Sequence, residues 1–98
     1  MISNQILQNT IDGLKDIARI DMCVFDTEGK ELAKTFRAGN VEEQDIVSFA
    51  SSPADSQEIR GYQFFKIHDD DGLLEYILLV GGGSDDAYMV GKIAAFQI

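Results

Sequence analysis

Two short acidic turns constrain this chain more than any other feature: Asp26-Thr27-Glu28-Gly29 and Asp69-Asp70-Asp71-Gly72. In such a turn the aspartate can hydrogen-bond its own backbone and the glycine can take the positive φ that closes a short hairpin. The residues on either side lean toward strand. "MCVF" and "KELAKTF" flank the first turn, and "SQEIRGYQFFKIH" and "LLEYILLV" flank the second. Each pair must run antiparallel, because a turn this tight cannot feed a parallel crossover. The second pair reads as two long strands, Ser56 to His68 being taken as a single strand.

The remaining segments have helical spacing. From Ser3 to Ala18 the apolar residues Leu7, Ile11, Leu14 and Ala18 recur at helical steps, with Gln8, Asp12, Lys15 and Asp16 opposite them. Asn40-Val41-Glu42-Glu43 has the spacing of a capping box, and Pro53 closes the short helix that follows. A last helix follows the glycines Gly81 to Gly83, with Ser84 as its cap and Asp85 and Asp86 in its first turn, where the helix dipole favours negative charge. The order helix, hairpin, helix, hairpin, helix specifies an α+β domain: an antiparallel sheet flanked by N-terminal, middle and C-terminal helices. PAS, GAF and profilin-like sheets share this scheme, and by analogy the first strand pairs with the last in the sheet centre. Ninety-eight residues, 45% of them hydrophobic, suit one domain over 1–98 and are too few for two.

The charge balance narrows the function. With 17 acidic and 8 basic residues the net charge is −9, which disfavours direct contact with a nucleic-acid backbone. The lone cysteine, Cys23, cannot make an internal disulfide, in keeping with a reducing cytoplasm. The N-terminus has no basic-then-apolar leader, and the apolar run Ile77 to Val80 is far too short to span a bilayer. The run "VGGGSDDAY" fits neither common phosphate-binding spacing, and the acids of "HDDDGLLE" are contiguous rather than alternating as calcium ligands are. His68 and Cys23 are single copies, so neither a metal site nor a nucleophile, base and orienting group can be assembled. No metal, cofactor or enzymatic activity is expected.

Two places remain as candidate sites. The strand after Pro53 carries Arg60, Tyr62, Phe64, Lys66 and His68 on one face and Ile59, Gly61, Gln63, Phe65 and Ile67 on the other. In so acidic a chain, Arg60, Lys66, Lys34 and Arg37 are a notable minority of cations. Arg60, Tyr62, Phe64, Lys66 and Arg37 could hold a small organic acid between apolar walls and cationic anchors. The plainer alternative is that these cations offset neighbouring acids on an exposed sheet face.

The second place is the last helix, where only Lys92 and Gln97 interrupt the apolar surface after Tyr88. One sheet face cannot satisfy such a helix, so it is either central to the core or shared with a second chain. Small residues at Gly91, Ala94 and Ala95 would allow close helix approach, and Tyr88, Gly91, Ala94, Ala95 and Ile98 form the expected homodimer and signalling surface. The helix has a start and no stop signal, so it is expected to continue in a longer parent protein.

The stretches "SNQILQNTIDGLKDIARIDMCVFDTEGKELAKTF", "SSPADSQEIRGYQFFKI" and "SDDAYMVGKIAAFQI" resemble the N-terminal region of clostridial-type transcriptional regulators related to the sugar-diacid and purine-catabolism family. The resemblance covers almost the whole chain. It implies a ligand-sensing and dimerising PAS- or GAF-like domain, whose last helix leads toward a central domain and a helix-turn-helix that binds DNA. The sugar-diacid signature is not present, so the regulatory role carries over and the effector does not. The rival expectation is a profilin- or roadblock-like interaction module that dimerises without a small-molecule ligand.

Overall fold

The computed structural model describes residues 3–81 and 85–98. Helix α1 spans Asn4–Ala18, and strands β1 (Met22–Phe25) and β2 (Glu31–Lys34) follow it. Helix α2 covers Glu43–Ser51, strands β3, β4 and β5 cover Ser56–Ile59, Tyr62–His68 and Leu74–Val80, and helix α3 covers Asp85–Gln97. The five strands form one sheet in the order β2-β1-β5-β4-β3, with every neighbouring pair antiparallel. The fold is thus α+β, and the first strand pairs with the last at the centre, from Met22 opposite Val80 to Phe25 opposite Ile77.

Both acidic turns close by the same local chemistry. Asp26 Oδ1 accepts from the amides of Glu28 and Lys30 at 2.9 Å, and Asp69 Oδ1 accepts from those of Asp71 and Leu73 at 2.9 Å. Gly29 and Gly72 supply the positive φ, at 89° and 82°. A third hairpin was not expected. Ser56–His68 is two strands, because Arg60 and Gly61 both take positive φ, 53° and 85°, and turn the chain back after Ile59. The reversal moves Ile59 to the face of its partner Tyr62 and takes Arg60 off the strand altogether.

The start of α2 also differs from expectation. The helix begins at Glu43, and the Glu42 amide donates to Asp45 Oδ2 at 2.9 Å, so the cap sits two residues later than Asn40. The intervening residues close a turn of their own, Val41 N–H donating to Ala38 C=O at 3.2 Å. At α1, Ser3 caps as its position suggests, accepting from the Ile6 amide at 3.2 Å. Ser84, the cap expected for α3, lies outside the described residues.

Alternating strand residues feed two separate cores. Met22, Val24, Phe65, Ile67, Leu78 and Val80 pack beneath α1 and α3, while Cys23, Phe64, Ile77 and Leu79 pack beneath α2. Covering on both faces explains why β1 and the Tyr76–Val80 part of β5 read as apolar runs. The β2 edge is closed by a side chain of α1: Gln8 Nε2 donates to Lys34 C=O at 2.7 Å, and Lys34 N–H donates to Gln8 Oε1 at 3.0 Å. This mimics a neighbouring strand and blunts an edge that would otherwise invite one.

Candidate functional site

The residues expected to cradle an organic acid lie on or beside the α2 face, and α2 fills that face. Phe64 is fully buried, its ring edge-on to Phe49 of α2 with centroids 5.5 Å apart. Such a pair adds about 0.5–1.5 kcal/mol beyond its area burial. Tyr62 leans on Phe36, centroids 5.8 Å apart. Lys66 Nζ donates to Ser52 C=O and lies over the Phe49 ring, 5.2 Å from its centroid. Arg60 Nε donates to Asp45 Oδ2 at 2.9 Å. The Asp45 carboxyl is held below the usual carboxylate range by the Glu42 amide first and the Arg60 guanidinium second. Arg37 stands exposed. Among the described residues these five therefore share no one cavity: Phe64 is core, Tyr62 is wall, Lys66 and Arg60 tie the sheet to α2, and Arg37 is solvated.

The same face holds Cys23, fully buried, its thiol donating to Phe36 C=O at 3.4 Å. Burial pushes its pKa up to about 12, so the nucleophilic thiolate is suppressed. Among the described residues no cluster of His, Cys, Asp and Glu could hold a metal ion, and no helix is long and apolar enough to cross a membrane.

The α3 face is built differently. Ala87, Gly91 and Ala94 are buried against the sheet. A side chain at Gly91 would overlap the Phe65 ring and come within 2.9 Å of Val80 Cγ2, so glycine is there to let α3 settle on β4 and β5. Gly91 and Ala94, expected to meet a second chain, are instead what brings the helix down onto its own sheet. Ala95 and Ile98 are half-buried against the same core, and Tyr88 stays exposed, its ring 5.6 Å from Phe65.

The surface that α3 turns outward was missed in the sequence. Met89 and Ile93 are largely exposed and Phe96 is 91% exposed. With Tyr88 and Lys92, Met89 and Ile93 line a shallow groove of about 450 Å³. The signal was available. Small residues at 87, 91 and 94 and large ones at 89, 93 and 96 form two four-three repeats, offset by two positions and so on opposite sides of the helix.

No protein-family model matches this chain, and no curated protein matches it.

Proposed function

We propose that this chain is a cytoplasmic dimerisation and signal-relay domain of a bacterial transcriptional regulator, meeting a second copy of itself through the outer seam of α3. The observation that carries this is the exposed repeat Met89, Ile93, Phe96, whose four-three spacing is that of a helix seam and whose natural occupant is another helix. Self-pairing is favoured on two grounds. From Ala87 to Ile98 the sequence has no acidic residue, although the whole chain carries −9, so two copies can meet here without opposing carboxylates. An antiparallel pair centred on Ile93 also sets Met89 of one copy near Phe96 of the other. That arrangement is self-complementary, as a two-fold interface must be, and brings a thioether to an aromatic ring.

The regulatory part of this reading is supported by the sequence resemblance, under which α3 would pass its arrangement on toward a DNA-binding output. A ligand could bias that output only through a difference in affinity for two arrangements of the helix pair. The rival, a profilin- or roadblock-like module with no small ligand, shares the dimer and draws support from the filled α2 face.

Sedimentation equilibrium of the chain and of Ile93→Asp tests the dimer. The expected result is a wild type at twice the 10.8 kDa of one chain and a folded variant at that mass. A wild type that stays at 10.8 kDa at micromolar concentration removes the proposal.

A further inference from the structure

Strand β3 reaches only part of the way along β4. Ser56 pairs with Phe65, the Asp55 carbonyl accepts from Lys66 N–H at 3.0 Å, and Ile67 and His68 have no β3 partner. A cavity of about 500 Å³ opens at this uncovered edge, between the end of β4 and the C-terminal half of α3. That is within the range of small-molecule sites, roughly 300–1,000 Å³. Its floor is apolar, made by Phe65, Ile67 and Ala95, and the exposed Phe96 forms one wall. Its rim carries charges of both signs, Lys66 and Lys92 against Asp55 and Asp70.

Those charges are not spent on one another. Among the described residues the ion pairs are Lys15 with Asp21, Lys34 with Glu31, and Arg60 with Asp45; none belongs to this rim. Among the described residues Lys92 Nζ meets no carboxylate and rests over the Tyr88 ring, 5.9 Å from its centroid, whereas Lys66 turns its ammonium to the α2 side, onto Ser52 C=O and the Phe49 ring. A cavity with one cation, Lys92, and two anions, Asp55 and Asp70, outside the ion pairs of the described residues and over an apolar floor matches a small molecule that carries both charges on an apolar body.

We infer that this cavity binds an α-amino acid with an apolar side chain. Its carboxylate meets Lys92, its ammonium meets Asp55 or Asp70, and its side chain lies against Phe65 and Phe96. Charge-assisted contacts supply orientation and the aromatic floor supplies area. Phe96 belongs to the cavity wall and to the outer seam of α3 alike, so occupancy and helix pairing act on one residue. This names the effector class of the regulator proposed above and rests on that reading for its consequence, whereas binding itself is a property of a single chain.

The test is titration of the ¹⁵N-labelled chain with L-phenylalanine, 3-phenylpropionate and phenethylamine, followed by amide shifts. Saturable shifts at Ile67, His68, Ala95 and Phe96 are expected with L-phenylalanine, with either single-charge analogue about tenfold weaker, the loss of one charge-assisted contact. Lys92→Gln, at an exposed helix position, is expected to weaken L-phenylalanine about tenfold while Lys30→Gln does not. Absence of saturable shifts up to about 10 mM, or equal binding of all three compounds, overturns the inference. Repeating the titration on Ile93→Asp separates the two proposals: binding that survives in a monomer stands without the dimer, and a dimer that binds nothing stands without the ligand.

Discussion

The two faces of the sheet are closed by different means. On the α2 side, a single nine-residue helix is held by Phe49 edge-on to Phe64 and by two polar ties, Arg60 to Asp45 and Lys66 to Ser52, with Phe36 against Tyr62 on the same face. On the other side, α1 lies on the sheet through Leu7 and Ile11 and α3 through the small residues Ala87, Gly91 and Ala94, and both helices leave large side chains facing out: Ile17 is 84% and Phe96 91% exposed. A face that buries its aromatics and spends its cations internally is a finished interior. A face that buries Phe65 yet leaves Ile17, Ile93 and Phe96 pointing away from the core is one half of something. The aromatic and cationic residues of β4 belong to the first kind, so their chemistry, suggestive in a linear reading, is consumed by folding.

Changing one ring on each face should expose this difference most strongly. Phe49→Ala empties the α2 core and is expected to cost about 3–5 kcal/mol of unfolding free energy in denaturant titration. Phe96→Ala should shift the unfolding of a dilute chain by no more than about 0.5 kcal/mol, yet weaken its association. Similar losses of stability for both would show that Phe96 is core and that the faces do not differ in kind.

A smaller effect is expected at Gly91. Gly91→Val forces α3 off the Phe65 ring and should destabilise the chain by about 1–3 kcal/mol, read as a lower thermal midpoint. If valine were neutral there, the close seat of α3 on the sheet would be wrong and Gly91 would be free to face a partner.

The smallest effect concerns the polar tie of the α2 face. Asp45 titrates below its ordinary 3.8 in the folded chain because the Glu42 amide and Arg60 favour the carboxylate. A depressed folded pKa contributes stability that is present above the unfolded value and lost as pH falls through the folded one. Asp45→Asn should therefore reduce stability near neutrality and flatten its decline as pH falls below the ordinary carboxylate value of 3.8, measured by denaturant midpoints across the acid range. An unchanged pH slope would mean that the Arg60–Asp45 contact is not maintained in solution.

What could be read from the sequence follows the range of the interactions involved. The Asp26 and Asp69 turns are closed by bonds within a few residues, and the Leu7 and Ile11 stripe is a local period, so both were legible. The Arg60-Gly61 turn was not, because arginine has no local preference for positive φ. Its side chain is instead held by Asp45, fifteen residues away on α2. The faces of β4 were sorted correctly within the strand, Tyr62, Phe64 and Lys66 against Phe65 and Ile67, but which face a helix would fill depends on the seating of α2. At α3 the small residues were visible and their partner was not: Gly91 serves Phe65, a contact made only once the sheet exists.

The claim that the outer seam of α3 pairs with itself is tested most directly by a cysteine at its centre. In Ile93→Cys the two new thiols face each other across the two-fold axis, while buried Cys23, with its pKa pushed up to about 12, does not compete. Mild oxidation of the folded variant should give near-complete intermolecular disulfide, blocked when Phe96→Asp is added. A variant that stays single-chain when folded, or one that cross-links equally with Phe96→Asp present, would contradict the pairing.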